Sequence, residues 1–189
     1  MYKEKNYHNV NFIYRIEPHK NNQADVEYKI DEGSKILIKK ILFTGNAAFT
    51  ESKLKKEIAT SEKSILSWFT SAGDLNQEIL NQDSGRLTAF YHNNGYIRAR
   101  VGDPQVEFEE DGIVVTFKVS EGPRFKVGKV DFSGDLILPK DELMKKIKIT
   151  KEPFYNRETL RSDVLGLTDI YTGEGYAYAD VSPKVDQDN

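Results

Sequence analysis

The sequence contains no cysteine. That excludes disulfide cross-links, thiolate metal sites and cysteine nucleophiles, and it leaves the compartment open. It also lacks any apolar run near the roughly 20 residues that a membrane-spanning helix needs. Met1-Tyr2-Lys3-Glu4 does not read as a signal peptide, so a targeting segment, if the protein is exported, is expected outside this sequence. Charge of one sign is missing too. Lys+Arg 27 against Asp+Glu 30 leaves a net charge of −3. A nucleic-acid partner would demand a basic face, and none is expected.

Catalytic constellations are equally scarce. The histidines are His8, His19 and His92. None has another histidine or a carboxylate pair at ligand spacing, and surface positions are expected for all three. Glu107, Glu109, Glu110 and Asp111 could be imagined as a metal or acid–base cluster. Strand alternation puts Glu107 and Glu109 on an outer face, which favours a solvated hairpin tip. Lys53, Lys55 and Lys56 read as the wet face of a helix. Gly45-Asn46 lacks the glycine pattern and the Lys-Ser/Thr of a phosphate loop. The reading is a non-enzyme without cofactor.

What the sequence does have is repetition. Gly45-Asn46 recurs as Gly134-Asp135, and Ile30-Asp31-Glu32-Gly33 recurs as Val119-Ser120-Glu121-Gly122, both at a step of 89 residues. The same step carries Tyr2 onto Tyr91, Tyr7 onto Tyr96, Val26 onto Val115 and Tyr28 onto Phe117. A fixed period of this size means tandem modules. Residues 1–34 are read as the C-terminal part of one module, its last two strands at Phe12–Ile16 and Ala24–Ile30. Residues 35–122 are read as a complete module, and 123–189 as a module lacking its last strand.

Within the middle copy, Ile36 to Phe43 predicts a strand whose apolar parity switches from Ile36 and Ile38 to Ile41 and Phe43. Phe125, Val127, Val130 and Phe132 repeat the switch, which predicts a β-bulge or a strand shared between two environments. Thr50 reads as an N-cap, with Phe49 and Leu54 as a hydrophobic staple and Leu54 and Ile58 as the buried stripe of a first helix. A second helix is expected from near Asn76, with Leu80, Asp83, Leu87 and Phe90/Tyr91 on one period and Gly95 as its left-handed terminator. Gly175 and Asn6 stand at the matching places. Tyr96 to Val101 and Val106 to Phe108 predict a strand interrupted near Asp103-Pro104. Glu110-Asp111-Gly112 then predicts a tight turn into a strand from Ile113 to Val119. The fold class is α+β: tandem β-α-α-β-β modules, each a three-stranded mixed sheet with two helices on one face. Glu32-Gly33-Ser34 and Glu121-Gly122-Pro123 read as short, stiff junctions.

These features resemble POTRA domains, the polypeptide-transport-associated modules of BamA-type outer-membrane assembly proteins. Phe43-Thr44-Gly45-Asn46 with Phe49-Thr50, Tyr91 with Gly95-Tyr96, and Phe117-Lys118-Val119-Ser120-Glu121-Gly122-Pro123 carry the resemblance. Phe132-Ser133-Gly134-Asp135 and Tyr171 with Gly175-Tyr176 repeat it, departing at Asp135 and Pro139, where the middle copy has Asn46 and Thr50. The resemblance implies the periplasm of a Gram-negative bacterium and a place N-terminal to a membrane β-barrel of the same chain. It implies neighbouring POTRA modules, unfolded outer-membrane proteins and accessory lipoproteins as partners. A two-partner-secretion or related translocation transporter is the alternative parent, since those carry POTRA regions too, as do single-module divisome proteins.

Two segments are candidate partner-binding surfaces. The strand after the second helix is an edge in POTRA domains, and it holds Tyr96, Arg98, Arg100, Val106 and Phe108. An edge offers unpaired backbone groups to extended chains by β-augmentation. Arg98, Arg100, Glu107, Glu109 and Pro104 argue the other way, as devices that protect an edge. The second segment lies within Ser61 to Leu75. The step falls to 80 residues after Thr60, from Gly95 to Gly175, so the middle copy carries nine additional residues there. They include Ile65, Leu66, Trp68 and Phe69, among them the only tryptophan of the chain. Either these side chains cap their own core, or they contact a neighbouring module, a partner or the membrane surface. The insertion resembles one in the third POTRA domain of BamA-type proteins.

Overall fold

The computed structural model describes residues 7, 10–33, 35–67 and 69–187. Tyr2, Asn6, His8, Ser34 and Trp68, each singled out above, lie outside the described residues. The chain divides into two compact units, one formed by residues 1–85 and 102–118, the other by 86–101 and 119–189.

The first unit opens with a β-hairpin. β1 (Asn11–Pro18) pairs antiparallel with β2 (Ala24–Asp31), Tyr14 opposite Tyr28 and Ile16 opposite Val26. Every residue of both strands is exposed. From residue 38 to 120 the elements follow the β-α-α-β-β pattern. β3 (Ile38–Thr44) leads to the first helix, α1 (Glu51–Leu54), and the second, α2 (Gln77–Asn93), follows. β4 (Arg100–Val101), β5 (Gln105–Glu109) and β6 (Gly112–Ser120) complete it. α2 and β6 are each divided between the two units, and β4 belongs to the second. The last strand lies at the centre of the sheet. β6 is parallel to β3 on one side and antiparallel to β4 and β5 on the other. Its first half is buried on both faces, which is why Ile113 to Phe117 read as a near-continuous apolar run and not as an alternation. Ile41, Phe43, Leu54, Leu80, Val115 and Phe117 are buried in this unit, and the rings of Phe43 and Phe117 stack at 5.6 Å.

Several local readings hold in detail. The register between β3 and β6 slips between Ile38 and Lys40, where the apolar parity changes. Thr50 caps α1 by accepting the Lys53 N–H, and the Asn76 side chain accepts the Ile79 N–H at the start of α2. Gly95 and Gly175 both adopt left-handed conformations, φ +92 and +91.

Other readings need correction. α1 is a single turn, and Ile58 lies beyond it. The backbone N–H groups of Ala59 and Thr60 donate instead to the two carboxylate oxygens of Asp83, at 2.8 and 2.9 Å. Tyr96 to Ala99 is a turn, not strand, because the Tyr96 N–H returns to the Tyr91 carbonyl and the Ala99 N–H to that of Tyr96.

In the second unit, α3 (Lys140–Lys146), a 3-10 turn (Ile149–Lys151) and α4 (Arg157–Gly173) surround Leu143, Ile147, Ile149 and Leu167. Asp163 repeats the work of Asp83, accepting the N–H groups of Lys148 and Ile149 at 2.9 and 2.8 Å. No strand is assigned among the described residues from 121 to 187. The strand expected from the apolar positions Phe125, Val127, Val130 and Phe132 is not formed among the described residues; its counterpart β3 in the middle repeat is held by pairing with β6.

Candidate interaction surface

The sheet of the first unit presents two edges, and they differ. Along β3, the insertion supplies the missing partner. The Ile38 N–H donates to the Gly73 carbonyl at 2.7 Å, and the Ile38 carbonyl accepts the Lys63 N–H at 2.7 Å. Further on, the Ile41 N–H donates to Glu62 Oε1 at 2.7 Å, and Lys55 Nζ donates to the same oxygen at 2.7 Å. Burial alone would raise the Glu62 carboxyl, but Lys55 and the Ile41 N–H outweigh it and hold the group below the usual carboxylate range. Three backbone groups of β3 that would face an incoming strand, the Ile38 N–H and carbonyl and the Ile41 N–H, are thus taken.

β5 pairs antiparallel with β6, from Gln105 opposite Thr116 to Glu109 opposite Gly112. Glu110 and Asp111 form a two-residue turn, so Glu109 and Gly112 are the pair that closes the hairpin ladder. Alternation from that pair turns the Val106 N–H away from β6. The tip is held by Lys39, whose ammonium donates to Glu109 at 2.6 Å and to the Asp111 carboxylate. The hydrogen bonds it donates to Asp111 first, then to Glu109, raise the Lys39 pKa, and Lys39 lowers that of Asp111. Glu109 and Asp111 are therefore an anchored turn. No group of three or more potential metal ligands is placed for a metal ion among the described residues.

Of the five residues expected on this edge, Arg100, Val106 and Phe108 lie on β4 and β5. Tyr96 and Arg98 are withdrawn into a cluster of the second unit. The Tyr96 ring meets Tyr91 edge-on at 5.7 Å, and Arg98 donates to Gln187 and lies over Phe125. Arg124 is the centre of the cluster. Its guanidinium stacks 3.3 Å from the Phe154 ring centroid, lies 5.6 Å from that of Tyr96, and donates to the Asn94 carbonyl at 2.8 Å. Backbone bonds run alongside: Phe125 N–H to Gly95, and Tyr155 N–H to Phe125. His92 is no idle surface residue here, for it lies 3.1 Å from the Ala99 carbonyl and 3.2 Å from Arg157. The pattern of glycines was the only sequence signal for this cluster. A Cβ on Gly95 would come within 2.9 Å of the Phe125 carbonyl, whereas one on Gly175 would meet nothing.

The insertion keeps its apolar tip in water. Ile65 is 95% exposed, Leu66 59% and Phe69 72%. Ser64 and Ser67 bond to each other, and the Phe69 and Thr70 N–H groups donate to the Leu66 carbonyl. The loop has a bonded base and a locally folded apolar crown.

A mixed sheet with its last strand central, two helices and recurrence along the chain define a tandem α+β repeat. The POTRA family model, described as surface antigen variable number repeat, matches residues 36–122 and again 125–189. The chain belongs to the POTRA family. It is 35% identical over 189 residues to the outer membrane protein assembly factor BamA of Nitratidesulfovibrio vulgaris, covering 97% of this chain and 24% of that protein. Identity to BamA of Neisseria meningitidis serogroup B is 33% over 164 residues, covering 85% and 21%. The chain therefore spans about a quarter of the length of the curated relatives it matches. The crystal structure of POTRA domains 3–5 of Haemophilus influenzae BamA shares the fold, with a TM-score of 0.50 at 16% identity, covering 89% of this chain and 65% of that one.

Proposed function

We propose that this chain is part of the periplasmic scaffold of an outer-membrane β-barrel assembly protein, and that it receives extended, unfolded outer-membrane proteins along β5. The observation that carries this reading is the inequality of the two sheet edges. β3 is closed by Glu62, Lys63 and Gly73, while β5 turns the Val106 N–H outward. Recognition through backbone groups suits clients of many sequences, because every chain carries the same donors and acceptors. Glu107 flanks the edge without blocking its backbone, and its charge selects against flat self-pairing. The crown at Ile65, Leu66 and Phe69 serves as a contact for an accessory lipoprotein or a neighbouring POTRA module. The parent chain places a membrane β-barrel C-terminal to such modules, as the BamA relatives support. No reaction is assigned to the chain.

The test is binding of a fluorescent peptide from an outer-membrane β-strand to the full chain, with Val106→Pro as the variant. Proline removes the outward N–H and leaves the ladder to β6 intact. Weaker binding by the variant supports edge addition. Equal binding by both proteins removes it.

A further inference from the structure

The register of the sheet in the first unit lines its side chains up in rows that cross the strands. One face carries two apolar rows, Ile38 with Ile113 and Phe108, and Ile41 with Val115 and Val106. The members on β3 and β6 are buried, while Val106 is half-buried and Phe108 is 55% exposed. Each row therefore begins in the core and ends at β5 with apolar surface still in water. The opposite face carries the row Lys40, Val114 and Glu107, which ends at β5 on an exposed carboxylate. Glu109, the next residue of β5 on that face, is already engaged by Lys39 at 2.6 Å.

Backbone and side chains are in phase along this strand. Glu109 and Gly112 close the hairpin and turn their backbone groups toward each other, so alternation turns those of Phe108 and Val106 away from β6. The residues whose amides and carbonyls face outward are thus the two that end the apolar rows. A residue of an added strand set opposite Val106 or Phe108 puts its own side chain on the same apolar face. The residue between those two positions falls beside Glu107. A slip by one position would set polar side chains against Phe108 and apolar ones beside the carboxylate.

We propose that the β5 edge is selective in register and in chemistry: it takes extended segments that carry apolar side chains two residues apart with a lysine or arginine between them. This deepens the reading of β5 as a receiving edge and rests on it. The two apolar side chains continue the rows of Ile113 and Val115 past Phe108 and Val106, and they cover surface that those residues leave in water. The basic side chain stands opposite Glu107, a cross-strand pair of opposite charge. Main-chain bonds are common to every register and do not choose between them; the two side-chain faces do. A segment of the same alternation with an acidic residue between its apolar positions sets like charges opposite each other and is disfavoured.

Binding of three short synthetic peptides to the full chain, followed by fluorescence anisotropy, tests this. The first alternates valine and threonine and has one lysine in place of a central threonine. The second exchanges that lysine with a neighbouring valine, so composition and net charge are kept and the alternation is broken. The third has glutamate in place of the lysine. The first should bind several-fold more tightly than either of the others. Glu107→Lys, at an exposed position, should reverse the order of the first and third peptides, and Glu107→Gln should remove most of the difference between them. Equal binding of all three, still weakened by Val106→Pro, overturns the selectivity and leaves edge addition standing. Binding that Val106→Pro does not weaken, or no binding of any peptide, overturns both. An order of the first and third peptides that survives Glu107→Lys overturns the pairing with Glu107.

Discussion

Glu62 Oε1 accepts the Ile41 N–H at 2.7 Å across 21 residues of sequence. One carboxylate oxygen thereby occupies a backbone donor on the β3 edge of the sheet. Glu62→Ala should free the Ile41 amide and speed its hydrogen exchange, while amides of β6 stay protected. The stability cost should be about 1–2 kcal/mol, the range for a hydrogen bond to a charged group. Because the folded pKa of Glu62 is lowered, its contribution is present above the ordinary carboxylate value and is lost as pH falls through the folded one. The wild-type chain should therefore lose part of its β3 protection on acidification, and Glu62→Gln should flatten that dependence.

Gly95 and Gly175 share a backbone conformation but not a neighbourhood. Gly175→Ala should cost roughly 1–2 kcal/mol, the strain of a left-handed residue with a Cβ. Gly95→Ala should cost more, because the Cβ would also press on the Phe125 carbonyl at 2.9 Å. Chemical denaturation of the two variants compares them directly, and equal losses would contradict the close approach.

Much of the architecture was readable in the sequence because it depends on neighbours along the chain. The parity switch between Ile38 and Ile41 announced the register slip, and Asn76 and Gly95 marked the ends of α2. What escaped depends on contacts far apart in sequence. The reach of Asp83 back to Ala59 and Thr60 cuts α1 to one turn, against the helical spacing of Leu54 and Ile58. Arg124 between Tyr96 and Phe154 joins residues about 30 positions apart, and no local period records such a stack. On the candidate surface, Val106 and Phe108 fell on the expected strand. The closing of β3 by the insertion had no counterpart in the sequence reading, since nothing in Glu62 or Gly73 points to Ile41 or Ile38.

Asp83 and Asp163 bury carboxylates to hold two N–H groups each. An amide side chain has a single acceptor oxygen. Asp83→Asn should therefore destabilise the chain by about 1–3 kcal/mol through an unsatisfied buried donor. Thermal unfolding measures it, and a neutral effect would show that the pairing carries no weight.

Tyr91 donates its hydroxyl to Glu121 at 2.9 Å, and burial first, then that carboxylate, push its phenol well above the ordinary value of 10.0. A raised acid in the folded state contributes stability that is present below the unfolded value and is lost as pH rises above it. Stability should thus begin to fall above about pH 10. Tyr91→Phe should remove that part of the alkaline slope while lowering stability at neutral pH.

The most direct measurement is an amide-shift titration of the isotopically labelled full chain with an extended peptide from an outer-membrane β-strand. Shifts centred on residues 105–109, with residues 38–44 and the insertion unmoved, are the predicted result. Shifts along β3, shifts confined to the helices, or none at all would contradict the claim that β5 is the receiving edge.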